Sequence, residues 1–383
     1  MRMIEALRGE ELCALVRRVF APRPGESRLA ILVDLPDAVV ADTPDWATRR
    51  GIAAGWLTAF RAHAADLGFA PSLVLYRNAH TNNGDLPDRC WIHGGGPLPD
   101  RAEDLDPAAS VPFAEVLARH PILLAPTQFS ATAPLKVAAK VHGFRAATMG
   151  GFCEGMIPAL RLDYAEVNRR VGILADLLDR AEGADIAFAH PAGESRLHLD
   201  LRFRHAHRSG GLLHETGAGN LPSGEAYIVP YEGETEPSRS AGELPVQLDG
   251  EVVRYRIVAN RAVAVVSEGP VSAAEAAKLA AEPAYGNLAE LGLGVLDAFG
   301  VKPIGKVLLD EKLGLHIAFG RSEHFGGQVG PRDFSSADAV IHIDRIYTAD
   351  VQPDVKVASA DLALFDGTRV PLMRDGVYAV NFA

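Results

Sequence analysis

Near residue 185 the hydrophobic period of the chain changes from helical to alternating, and this change constrains the fold more than any other feature. Upstream, helical patterns at 3–20, 46–68 and 163–184 alternate with short apolar runs at 28–36 and 72–78. The stretch 120–151 reads strand, Ser/Thr loop, helix, Gly143 and strand again. Strands separated by helices of this length pair in parallel and are wrapped by those helices. Downstream, Leu197, Leu199, Leu201 and Phe203 recur at period two. Short strands with Gly, Pro and Asp turns then run onward, broken by one helical pattern at 272–283. The reading is an α/β N-terminal domain with a parallel sheet, residues 1–185, and a β-rich α+β C-terminal domain, residues 186–383.

A chain of 383 residues with 48% hydrophobic content has enough apolar material for two cores. Its net charge of −11 argues against nucleic acid or a membrane surface as the partner, because both are met by clustered Lys and Arg. No run approaches the roughly 18 apolar residues of a membrane span, and charges recur every few residues in 1–20, unlike a secretory leader. Cys13, Cys90 and Cys153 form no C-x-x-C pair and suit a reducing compartment. A cytoplasmic location is expected. The glycines of 94–99 match neither G-x-x-x-x-G-K-[ST] nor G-x-G-x-x-G, so no nucleotide site is expected.

Chemistry-bearing side chains interrupt four apolar segments of the second half. Glu225 follows the turn Leu221, Pro222, Ser223, Gly224 at the start of a strand. Glu290 stands in the Gly-rich apolar run 285–296, and His316 stands between Leu315 and Ile317. His342 and Asp344 flank Ile343, so on a strand they share a face, with Ile341 and Ile343 on the other. A lone buried carboxylate is costly, and a divalent cation removes that cost. Carboxylate and imidazole together are donors for zinc, cobalt or manganese. The segment 204–215 holds His205, His207 and His214 and reads as a hairpin at the mouth of such a site. The loop 126–134 ahead of a helix is read through capping by Ser130 and Thr132.

These segments, in this order, resemble the M29 family of metal-dependent aminopeptidases. The resemblance rests on Asn220-Leu221-Pro222-Ser223-Gly224-Glu225, on Asn287-Leu288-Ala289-Glu290-Leu291-Gly292, on Asp310-Glu311-Lys312 followed by His316-Ile317-Ala318-Phe319-Gly320, and on His342-Ile343-Asp344. Residues 143–156 and Asp163-Tyr164 resemble the family's segment ahead of its linker helix. The resemblance covers most of 120–383, while the first 115 or so residues share only general texture. It implies that Glu225, Glu290, His316, His342 and Asp344 hold two divalent metal ions. Glu290 or Glu311 would then handle the proton of a metal-activated water, and Lys312 would stabilise an oxyanion or a neighbouring carboxylate. It implies a small peptide or amide substrate and a homodimer.

The chain departs from that family pattern in two places. The link between Glu311-Lys312 and His316 is shorter, and Glu323-His324 stand where the family has Tyr seven residues after the His. Either residue supplies a ligand or an acid, or both close a Gly-rich turn. Two other readings follow. One is a mononuclear iron, ring-cleaving dioxygenase related to 2,5-dihydroxypyridine dioxygenase, a branch that has His at the position of Glu290 and lacks the acid at Glu225. The other is an amidase acting on a non-peptide substrate.

Overall fold

The computed structural model describes residues 6–382. The chain divides into two compact units, one formed by Met1–Val167 with Gly211–Ser223 and the other by Asn168–Gly210 with Gly224–Ala383.

The first unit is built on a seven-stranded sheet ordered Gly217–Asn220, Arg145–Thr148, Ile122–Ala125, Arg28–Leu35, Ala70–Arg77, Arg89–Ile92 and Val111–Pro112. The first five pair in parallel and the last two close one edge in antiparallel fashion. Parallel strands covered on both faces need apolar residues at every position. Accordingly all of Ile122–Ala125 and seven of the eight residues of Arg28–Leu35 are buried. The helix Pro44–Ala62 starts at Thr43, whose hydroxyl accepts from the N–H of Trp46 at 3.2 Å, with Pro44 at the first helical position. Helix Thr132–His142 begins directly after the Ser/Thr loop, but its cap position is Ala131, which offers no side-chain cap. Asn83 Oδ1 instead accepts from the N–H of Ala133 at 2.9 Å, so the expected capping by Ser130 and Thr132 gives way to a distant residue. Leu32, Val74, Tyr76, Leu123 and Phe144 lie in one core. The N-terminal helix spans Gly9–Phe20, and positions 3–5 of its expected range lie outside the described residues.

The second unit holds two antiparallel sheets. The larger is ordered Arg261–Val265, Glu251–Val258, Ala241–Leu248, Gly193–Asp200, Ala181–His190, Lys356–Leu364, Arg369–Arg374 and Val377–Tyr378. The smaller is ordered His342–Ile346, Leu315–Gly320, Leu288–Gly294, Glu225–Ile228 and His207–Ser209. Helix Pro270–Ala281 is the helical pattern expected at 272–283. Both an α/β part and a β-rich part are therefore present.

Three boundaries differ from the sequence reading. The helix expected over 163–184 ends at Asp179, and Ala181–Ala184 already belong to a strand. That strand pairs on both sides, with Gly193–Asp200 and Lys356–Leu364, and these non-local ladders override the local helical pattern. The units divide at 167/168 rather than at 185, and 211–223 returns to the first unit because Gly217–Asn220 pairs with Arg145–Thr148. The expected hairpin at 204–215 is a single short strand, His207–Ser209, whose partner is Glu225–Ile228.

Candidate metal centre

The five-stranded sheet has one greasy face and one polar face. Leu291, Leu293, Leu315, Ile317 and Phe319 are buried on the first, where Phe319 meets the ring of Tyr255 from the larger sheet at 5.1 Å. On the other face, cross-strand register alternates chemistry with empty space. Glu225 lies opposite Gly294, Tyr227 opposite Gly292, Gly292 opposite His316, Glu290 opposite Ala318, Ala318 opposite Asp344, and Gly320 opposite His342. Each of these large polar side chains thus has a glycine or alanine opposite it on one neighbouring strand. A Cβ on Gly292 would fall on the imidazole of His316, and one on Gly294 would collide with the main chain of Lys312.

A register shift between Leu288 and Glu290 makes this face possible. Residues two apart on a regular strand share a face. The extra residue, Ala289, breaks that rule, so Leu288 pairs with Phe319 in the core while Glu290 pairs with Ala318 on the polar side.

All five expected ligand residues meet here, in two trios that share Glu290. Glu225, Glu290 and His316 form one, and Glu290, His342 and Asp344 form the other, with each trio's donor atoms within 4.8 Å of one another. His316 Nε2 is 3.2 Å from Glu290 Oε1 and 3.6 Å from Glu225 Oε2. His342 Nε2 is 3.4 Å from Glu290 Oε2 and 3.5 Å from Asp344 Oδ1. Each imidazole is oriented from behind by a main-chain carbonyl. Nδ1 of His316 donates to Gly314 at 3.2 Å and Nδ1 of His342 donates to Arg321 at 2.7 Å. That arrangement presents Nε2 to the carboxylates, the orientation a metal-binding histidine needs.

Lys312 is fully buried and its ammonium donates to both Glu225 and Glu311. Asp310 closes the preceding turn by accepting from the N–H groups of Ile304 and Gly305, so the 310–312 segment is built in rather than solvated. Burial pushes the Glu225 carboxyl up despite the nearby Lys312 and His316 charges. Burial likewise pushes Glu311 up to about 8, against the pull of Lys312. At Glu290 burial also acts upward, but hydrogen bonds from His316 and His342 outweigh it and bring the carboxyl down to about 2. His316 rises to about 9, since Glu290 overcomes the burial that disfavours its charge.

The residues fit divalent cations on two counts. The donor set is three carboxylates and two imidazoles, which suits zinc, cobalt or manganese. Oε2 of Glu225 is also buried with no hydrogen-bond partner among the described residues, an arrangement that is costly unless something cationic meets it.

Glu323 is not in this cluster. It pairs with Arg321 at 2.6 and 2.7 Å within the turn Glu323–Phe325, so the turn is its role here. His205 and His207 belong to neither trio. The sequence reading missed Glu232, which is buried and accepts from Asn287 Nδ2 at 2.6 Å, Ser322 Oγ at 2.6 Å and the N–H of Gln328. Its partners stand 55, 90 and 96 positions away, and no local pattern marks such a hub. Tyr227 and Phe325, beside this cluster, were also passed over; only the shared strand face of Tyr227 and Glu225 hinted at the former.

No protein-family model and no curated protein matches the chain. Solved structures do. A 2,5-dihydroxypyridine dioxygenase from Pseudomonas putida KT2440 matches with a TM-score of 0.58 and 14% identity, over 98% of this chain and 99% of that one. AmpT from Thermus thermophilus matches with a TM-score of 0.53 and 17% identity, over 97% and 98%. The chain shares the fold of both along its whole length.

Proposed function

We propose that this chain is a metal-dependent hydrolase of the aminopeptidase type, which releases N-terminal residues from small peptides or amides. The observation that carries the proposal is the sharing of Glu290 between two ligand trios on one sheet face. Glu290 turns one oxygen toward His316 and the other toward His342, so it would be a donor common to both trios. The fold likeness to AmpT and the ordered sequence segments support the same reading.

In this reading Glu225, Glu290, His316, His342 and Asp344 hold two divalent ions, zinc, cobalt or manganese. Such ions, when bound, lower the pKa of water and polarise a scissile carbonyl. Both oxygens of Glu290 are committed to the histidines, so its part is ligation. Glu311 contacts Lys312 and is the better placed to accept the proton of the attacking water and return it to the leaving amine. Lys312 is held between two carboxylates, so its role is to fix Glu225 and Glu311 rather than to meet an oxyanion. A homodimer and a cytoplasmic location complete the proposal; no helix of the described residues is long and apolar enough to cross a membrane.

A second reading, a mononuclear iron enzyme that opens an aromatic ring, is favoured by the likeness to the dioxygenase fold. Two histidines and one carboxylate with open positions suffice for it. Metal analysis combined with assays on aminoacyl amides and on dihydroxypyridine separates the two. Two ions per chain with amide cleavage is the expected result; one iron with oxygen uptake would replace the first reading by the second. Glu290→Gln should lower amide cleavage about a thousandfold, the scale of losing metal-borne charge stabilisation. Full activity in that variant would remove Glu290 from the centre.

A further inference from the structure

Four rings from three separate stretches of chain gather beside the ligand cluster. His207 and Tyr227 face each other across adjacent strands and stack, with centroids 4.9 Å apart and planes at 18°. Phe325 meets Tyr227 edge-on at 5.0 Å and meets the ring of His342 at 5.5 Å and 76°. His324 packs on Phe325 at 3.8 Å and lies 5.4 Å from His342. Tyr227 and His342 belong to strands separated by the two that carry Glu290 and His316. One phenyl ring that reaches both therefore spans the breadth of the ligand cluster.

Rings that merely fill a core are covered on all sides. None of these four is: His207, Tyr227 and Phe325 are half-buried and His324 is exposed, while Glu290 and His316 beside them are 4% and 0% exposed. The rings are also fixed in place. The carbonyl of Phe325 accepts from His207 Nε2 at 2.9 Å. Glu232 ties down the turn on both sides of Phe325, through Ser322 and Gln328. A half-open aromatic surface that is already rigid loses little freedom when a flat group lies against it.

Resting on the metal-centre reading above, we infer that His207, Tyr227, His324 and Phe325 form the specificity subsite of the centre, and that it takes a planar aromatic ring. The ring is either the side chain of an aminoacyl amide or a free hydroxylated heteroaromatic. Phe325 and Tyr227 supply the contact surface and decide between aromatic and aliphatic groups.

The test is calorimetric binding to the full chain loaded with zinc, using phenylalanine hydroxamate and leucine hydroxamate. Dihydroxypyridine is titrated into the iron-loaded chain under nitrogen. The phenylalanine compound should bind about fivefold to tenfold more tightly than the leucine one, the scale of an aromatic contact beyond its area. Phe325→Leu, which keeps apolar bulk without a ring, should bring that ratio close to one. Tyr227→Leu is the second variant should the first not fold, and the same collapse is expected. If the hydroxamates bind equally while dihydroxypyridine binds and is weakened by Phe325→Leu, the ring is the free heteroaromatic. Equal hydroxamate affinities with no effect of either variant on dihydroxypyridine overturn the subsite while leaving the metal centre intact. Failure of both hydroxamates and of dihydroxypyridine to bind any metal-loaded form sinks the metal-centre reading, and the subsite with it.

Discussion

Acids are buried in both units of the molecule, on opposite terms. In the parallel sheet Asp34, one residue before the end of the strand Arg28–Leu35, is 1% exposed and is satisfied by the backbone: its oxygens accept from the N–H groups of Gln128 at 2.7 Å and Phe129 at 3.0 Å. Its task is to close the loop after Ile122–Ala125, and both oxygens are filled. On the smaller antiparallel sheet Glu225, Glu290 and Asp344, with Glu311 from the adjoining turn, crowd around Lys312, His316 and His342, and Glu225 keeps one oxygen unfilled. The contrast separates a structural acid from a set arranged around charge. A buried carboxylate completed by main-chain donors asks for nothing more, whereas clustered ones depend on cations, whether side chains or ions.

The largest effect should come from removing the one permanent cation of the cluster. Lys312→Met leaves the buried Glu225 and the half-buried Glu311 uncompensated, which costs about 3–5 kcal/mol in chelator-treated protein. Saturating zinc should recover part of that loss, because ions that bind only the folded chain stabilise it. Urea unfolding followed by far-ultraviolet circular dichroism, with and without metal, reads both numbers. An unchanged midpoint under both conditions would mean the clustered acids need no cation, and the contrast with Asp34 would collapse.

Asp34 gives the complementary test. Burial, partly offset by the Gln128 and Phe129 N–H groups and by Arg49, pushes its carboxyl up to about 6. The folded state therefore binds this proton more tightly than the unfolded chain, whose Asp titrates near 3.9. The resulting stabilisation is fully present below about pH 4 and is lost as pH rises through about 6, a swing of about 3 kcal/mol. Asp34→Asn should abolish the swing, so the stability difference between wild type and variant should change by that amount over this window. All three tryptophans, Trp46, Trp56 and Trp91, lie in the first unit, and Trp46 donates to the main-chain oxygen of Asp34 at 3.0 Å. Tryptophan fluorescence thus reports this unit selectively. A flat difference across the window would show that the two backbone donors hold Asp34 charged.

Much of this contrast can be read from the chain, and the unreadable part has a common cause. Period two and period 3.6 separate the two sheet types, and the i, i+2 spacing of His342 and Asp344 puts them on one face, as the structure does. What escapes is set by partners far away in sequence. Ala181–Ala184 continue a helical pattern yet form a strand, because two distant strands claim their main chain. Glu290 joins the cluster of acids and imidazoles only through the shift opposite Phe319 and Ala318. Glu232 looks like an ordinary surface acid until Asn287, Ser322 and Gln328 converge on it. Phe325 sits in a Gly-rich turn whose sequence gives no sign that it meets both Tyr227 and His342.

The smallest predicted effect tests whether empty space on the polar face matters as much as its acids and imidazoles. Gly292 lies opposite His316, and the imidazole occupies the volume a Cβ would take. His316 is fully buried, so its ring has nowhere to withdraw without leaving Glu290. Gly292→Ala should therefore lower metal affinity and amide cleavage about 10- to 100-fold, the usual cost of misaligning a ligand through its surroundings. Fluorescence-detected unfolding of the first unit should not move. Gly183→Ala in the larger sheet is the control. There the added methyl would meet His198 Cε1 at 2.6 Å and the main-chain oxygen of Leu199 at 3.0 Å, but His198 is 35% exposed and tied only to the equally exposed Asp185, at 2.7 Å, so it can shift with that partner where His316 cannot. The control should keep its metal and its activity. If both substitutions behave alike, glycine on the polar face is only tolerated; if they differ as expected, the sheet is shaped around the position of one imidazole.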